Sequence, residues 1–255
     1  MAANRIKLNA AKTELMWSGT KNNLLKIPGG SGSLQLTLAG DHIAASNVVR
    51  VLGVLLTSDL SMDKHAAAVA AKCFFQLRQL RRIRRSLDDN AVATLVHAFV
   101  ASRVDYCASL FVGTPKKTTD KLQRVLNAAV RLVSNTRKYD RGLTHIRRNV
   151  LHWLDVTDRV RFRVCVQVFK CLHGMAPDYL STMCHPVSRL PGRQNLRSAN
   201  RGQLDVPRAT LSSCGVPAFA HAGPSLWNTL PIHLKNRNLT LTTFMRHLKS
   251  YLFSQ

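Results

Sequence analysis

Four arginines, Arg78, Arg81, Arg82 and Arg85, fall at i, i+3, i+4 and i+7 of one segment. That spacing puts their side chains on a single stripe of a helix. A guanidinium is planar, permanently charged and able to hold two phosphate oxygens at once, so a row of them suits a polyanion backbone. A solvated charged face is the competing reading of any such run. Here, however, Lys72 to Arg85 holds six basic residues and no acidic one. The imbalance runs through the whole chain, with 37 Lys and Arg against 13 Asp and Glu, Glu14 as the sole glutamate, and a formal net charge of +24. Self-repulsion on that scale favours a polyanionic partner, RNA or DNA. Lys121, Arg124 and Arg131 form a second basic track on a later segment. Contacts of this kind would position a nucleic-acid backbone without reading its sequence.

Other chemistry is poorly supplied. The only Asp-Asp pair, Asp88-Asp89, follows Ser86-Leu87 at an expected helix start, where acids in the first turn favour the helix dipole. Cys171-Leu172-His173 and Cys184-His185 lack the spacing of paired zinc ligands, so buried thiols and surface imidazoles are expected and no metal site is assigned. Nor does any local signature support a cysteine nucleophile. Cys73, Cys107, Cys165, Cys171, Cys184 and Cys214 lie far apart, and reduced thiols are the expectation. Tyr106, Trp153 and Trp227 are of a type that stacks on bases, but their apolar surroundings favour core packing. No apolar run approaches the ~20 residues that cross a bilayer, and the first fifteen residues show no signal-peptide core, so nucleus or cytoplasm is expected rather than secretion.

These residues need elements to hold them. The first sixty residues read as β structure: an extended run at Thr13 to Trp17, a loop at Pro28 to Ser33, alternation at Leu34 to Leu38, a Gly40-Asp41 turn, and an apolar run from Val48 to Thr57. From Ser61 the period becomes helical. Ala66, Val69, Ala70, Cys73, Leu77 and Leu80 form an apolar stripe roughly a quarter-turn or more from the arginines. Ser86 to Asp89 resembles a capping box opening a helix from Asn90 to about Leu110, and a further helix is expected at about Thr119 to Ser134. Asp158 to Leu172 alternates like a strand. A cap at Thr157 or Asp158, Gly174 and Pro177 as stop signals, and a shared face of Cys165, Val168, Phe169 and Leu172 favour a helix instead. A loop-rich stretch follows to about Pro224, with Trp227 anchored between turns at Pro224 and Pro231, and an amphipathic helix closes the chain at about Thr242 to Phe253. The expected fold is α+β, mostly helical, with a small N-terminal antiparallel sheet. Segments 1–60, 61–150 and 151–255 are the expected domains.

Several strings, in order, resemble the reverse transcriptases of non-LTR (LINE-type) retrotransposons. Lys7 to Glu14 is similar to the segment after that family's catalytic motif, and Val51-Leu52-Gly53-Val54 to its primer-grip hairpin. Leu77 to Arg84 and Ser102 to Cys107 resemble the helical thumb, and Ala222 to Pro231 a string near the C-terminus. The resemblance implies the end of the palm, a thumb-like helical bundle and a C-terminal extension of an RNA-directed DNA polymerase. It implies that the arginine stripe lies along a primer–template backbone, and that Lys12 matches a lysine near the nucleotide triphosphate. The family's Phe/Tyr-x-Asp-Asp turn and its upstream aspartate do not occur here. Magnesium would therefore belong to a palm and fingers region outside this chain. A truncated remnant inactive in polymerisation alone is expected, with no cofactor of its own and that upstream region as a further partner. Part of an intact enzyme whose upstream region was left out by gene prediction, a co-opted binding module, and a transcribed fossil are the alternatives.

Overall fold

The change from alternating to helical periodicity near Ser61 marks a real transition in the computed structural model. It describes residues 9, 12–27, 35–38, 40–137, 139–194, 197, 201–209, 211 and 215–255. The loop expected at Pro28 to Ser33, Cys214 and most of the Lys7 to Ala11 string lie outside those residues. The chain divides into two compact units, Met1–His65 and Ala66–Gln255, and is α+β, mostly helical.

The first unit holds a short helix, α1 (Lys21–Leu25), and two hairpins, β1 (Gln35–Leu38) with β2 (Asp41–Ala44) and β3 (Val48–Val51) with β4 (Val54–Thr57). Both pairs are antiparallel, but they form two separate two-stranded sheets rather than the single sheet expected. The Val48 to Thr57 run is broken at Leu52 and Gly53, whose φ angles are +47° and +85°. Two consecutive positive φ values make the tight turn whose twist matches a hairpin, and glycine meets that requirement without steric cost. At Thr13 to Trp17 only Leu15 pairs, through a single parallel bridge to Ala45, so that run is not a strand. α1 was not anticipated. Its start is a Thr20 hydroxyl accepting from the Asn23 N–H at 3.3 Å.

Helices α2 (Asp63–Ile83), α3 (Asp89–Val96), α4 (Ser102–Asp105) and α5 (Lys116–Val133) follow. The helix expected from Asn90 to Leu110 is interrupted by a π turn at His97–Ala101 and ends at Asp105, after which Tyr106 is extended and Cys107 has φ +52°. Its cap is Asp88, which accepts from the Ala91 N–H at 2.6 Å, so Ser86 does not close a capping box. Next come α6 (Leu143–His145), a π turn at Ile146–Val150, α7 (Val156–Leu172), α8 (Asp178–Ser181), α9 (Phe219–Asn228) and α10 (Leu241–Phe253).

α7 is the ambiguous segment resolved as a helix. Asp155, not Thr157 or Asp158, caps it, accepting from the Asp158 N–H at 3.1 Å. Gly174, at φ +67°, closes it, with the Met175 N–H returning to the Lys170 carbonyl at 2.9 Å. The strand-like alternation has a tertiary cause: α7 packs against α5, α9 and α10, and is buried on several sides at once. Phe169 stacks on Phe244 of α10 at 4.4 Å, with Trp227 of α9 5.8 Å from Phe244. Pro224 lies inside α9 rather than in a turn before it. Among the described residues, no helix is long and apolar enough to cross a membrane.

Candidate nucleic-acid interface

α2 separates its two stripes as its spacing requires. Cys73, Leu77 and Leu80 are buried, while Arg78, Arg81 and Arg82 are exposed. Arg85 is also exposed, on a 3-10 turn (Arg84–Ser86) that extends the helix. None of these four makes an ion pair or side-chain hydrogen bond among the described residues.

Their neighbour Arg84 does the opposite. Its Nε donates to the Leu132 carbonyl at 3.1 Å, and its terminal nitrogens reach the carbonyls of Leu87 at 3.0 Å and Val133 at 3.5 Å, and pair with Asp89. Leu132 and Val133 end α5, where carbonyls lack helical partners and the dipole is negative. Arg84 therefore joins the end of α2 to the end of α5. Sequence reading missed this because the decisive partners are backbone atoms distant in the chain.

The second track is less open than the first. Arg124 is exposed, whereas Lys121 and Arg131 are half-buried. Lys121 is engaged in an interaction within the fold. The Arg131 Nε is enclosed with no hydrogen-bond partner. The opposite face of α5, from Leu122 through Val133, is buried.

Three acids of the helical core are engaged with other arginines. Asp105 takes both oxygens to Arg159 Nη1, at 2.8 and 2.9 Å, and lies 3.8 Å from Arg163. Asp158 lies 3.5 Å from Arg161 and 3.8 Å from Arg148, and Asp155 lies 3.6 Å from the buried Arg147. Burial raises the Asp158 carboxyl, with Asp155 adding to the shift while Arg161 and Arg148 oppose it. Burial likewise lowers Arg147, against the attraction of Asp155. Carboxylates held by the helical core cannot neutralise the exposed arginines of α2.

The remaining candidates are scattered. Lys12 is exposed in the first unit. Cys73, Cys165, Cys171 and Cys184 are buried free thiols, and burial together with the neighbouring Cys171 pushes Cys184 up to about 12. His173 stacks on Phe169 at 3.8 Å, with carbonyl oxygens facing both ring nitrogens, and His185 is exposed. Among the described residues, no three His, Cys, Asp or Glu side chains are grouped to hold a metal ion. Trp227 is buried and donates its indole N–H to the Gly202 carbonyl at 3.0 Å. Tyr106 corrects the core expectation, being 52% exposed. No protein-family model, curated protein or solved structure matches the chain.

Proposed function

We propose that the chain binds the phosphate backbone of RNA or DNA without sequence preference. In this reading it is the tail of a LINE-type reverse transcriptase, acting in the nucleus or cytoplasm. One observation carries the proposal: four arginines stand exposed along α2 and the turn that extends it, without carboxylate partners among the described residues, while acids of the helical core pair with other arginines. A solvated face that merely aids solubility has no need of such one-sidedness. The reverse-transcriptase assignment is supported by the ordered motif strings, and the lack of a Phe/Tyr-x-Asp-Asp turn makes polymerisation by this chain alone unexpected. Magnesium, in this reading, belongs to the upstream palm.

Titrating the protein against a labelled duplex across a salt series tests the binding. Each lost phosphate contact lowers the salt slope by about 0.9. Replacing Arg78, Arg81, Arg82 and Arg85 by Gln should lower it by up to about 3.6. An unchanged slope would remove α2 from the interface. Nucleotide incorporation in a primer-extension assay would overturn the expectation of inactivity.

A further inference from the structure

We propose that the unit Ala66–Gln255 carries a second nucleic-acid site, a trough beside α7 that holds a single strand by base stacking and phosphate pairing. The inference rests on the nucleic-acid-binding reading above. Two clefts, of about 340 and 740 Å³, share His97, Asp105 and Arg163, so they are adjoining lengths of one depression. Arg159, Arg163 and Gln167 line it at i, i+4 and i+8, one stripe of α7. Eight residues of helix span about 12 Å. Stacked nucleotides at about 3.4 Å each would fill that length with roughly three.

The lining has the two components that single-strand grooves combine, aromatic faces and backbone-directed cations. Trp153 and Phe162 border the smaller cleft, and the half-exposed Tyr106 borders the larger. Asp105 is the only carboxylate along either cleft among the described residues, and both its oxygens accept from Arg159 Nη1. Arg163, with a side chain 49% exposed and 3.8 Å from the Asp105 that Arg159 already engages, and Lys249, 5.8 Å above the Phe253 ring, leave the trough with an excess of positive charge. The backbone is irregular at the same place: the π turn begins at His97, and Cys107 and His152 both adopt φ +52°. Such features recur at binding sites because packing must hold them against their intrinsic cost. A duplex keeps its base faces stacked inside, so aromatic walls select an unpaired strand.

The test uses the full chain and fluorescence anisotropy with a short labelled oligothymidylate and a blunt duplex. Tyr106→Leu and Arg163→Gln, both at half-exposed positions, should each weaken the oligothymidylate about tenfold. Duplex affinity should stay within about twofold, because duplex contacts belong to α2. Arg78→Gln with Arg81→Gln should do the reverse. Unchanged oligothymidylate affinity in both trough variants overturns the trough. If the α2 variant still weakens the duplex, the backbone-binding reading survives that failure. Binding of neither ligand by the unmodified chain sinks both. Should Tyr106→Leu lose its cooperative melt, Arg163→Gln carries the test. Photocrosslinks from 5-iodouracil should map to Tyr106 or Trp153, and crosslinks confined to α2 would overturn the site.

Discussion

Replacing Arg84 by Ala should cost stability and leave salt-dependent binding alone, whereas the same change at Arg85 should do the opposite. Arg84 donates to carbonyls of Leu132 and Leu87 at 3.1 and 3.0 Å, with a side chain only 17% exposed. Hydrogen bonds from a charged donor contribute about 1.5–3 kcal/mol each. The pair with Asp89 adds little, since that carboxylate is 82% exposed. Discounting for water that enters once the side chain is gone leaves a loss of about 3 kcal/mol from the two good carbonyl bonds. In a unit of this size that corresponds to a fall in melting temperature of about 6–12 °C. Arg85, exposed and without a partner among the described residues, should change stability by less than about 0.5 kcal/mol. Urea and thermal unfolding followed by circular dichroism would supply both values, and the duplex titration the salt slopes. Equal stability losses at the two positions would refute the division between clamp and interface.

Asp105→Asn should lower stability by about 1–3 kcal/mol, because the amide keeps one acceptor for Arg159 Nη1 but removes the charge that pairs with it, and thermal melting would detect it. Trp227→Leu removes an indole N–H bond and leaves a void beside Phe244, so a loss of about 3 kcal/mol is expected in urea unfolding. Stability should fall as pH rises from about 9 toward 12. Burial raises the Cys73 thiol from 9.0 to about 11 and the Cys165 thiol to about 12, so the unfolded chain loses these protons first. Urea midpoints that stayed flat across that window would contradict it. Those two thiols and Cys184 should also resist iodoacetamide at pH 8 until the chain is unfolded, as mass spectrometry of the labelled sites would show.

Much of the helical architecture was legible because it rests on local periodicity. α2, α5 and α10 fall within a few residues of their expected bounds, each carrying one continuous apolar face. α7 was ambiguous for a tertiary reason, since burial by three neighbouring helices erases the one-sided pattern that identifies a surface helix. The π turn at His97–Ala101 left no signal, as its cost is met by packing of Val100 and Ala101 in the core. Tyr106 was expected in that core. The end of α4 at the preceding residue, Asp105, and the left-handed Cys107 instead leave its ring half in solvent.

From its residues alone this protein was bound to be strongly basic and mostly helical, with four arginines on one helical face. Charge follows from composition, and facing follows from a rotation of about 100° per residue, which is a property of the backbone. Only the tertiary structure decided which arginines keep their charge available. Arg84 is claimed by the carbonyls of α5, and Arg159 and Arg161 by aspartates, while Arg78, Arg81, Arg82 and Arg85 find none among the described residues. The reason is physical: an ion pair depends on which helices meet, and that is settled by packing of apolar faces rather than by the spacing of the charges themselves.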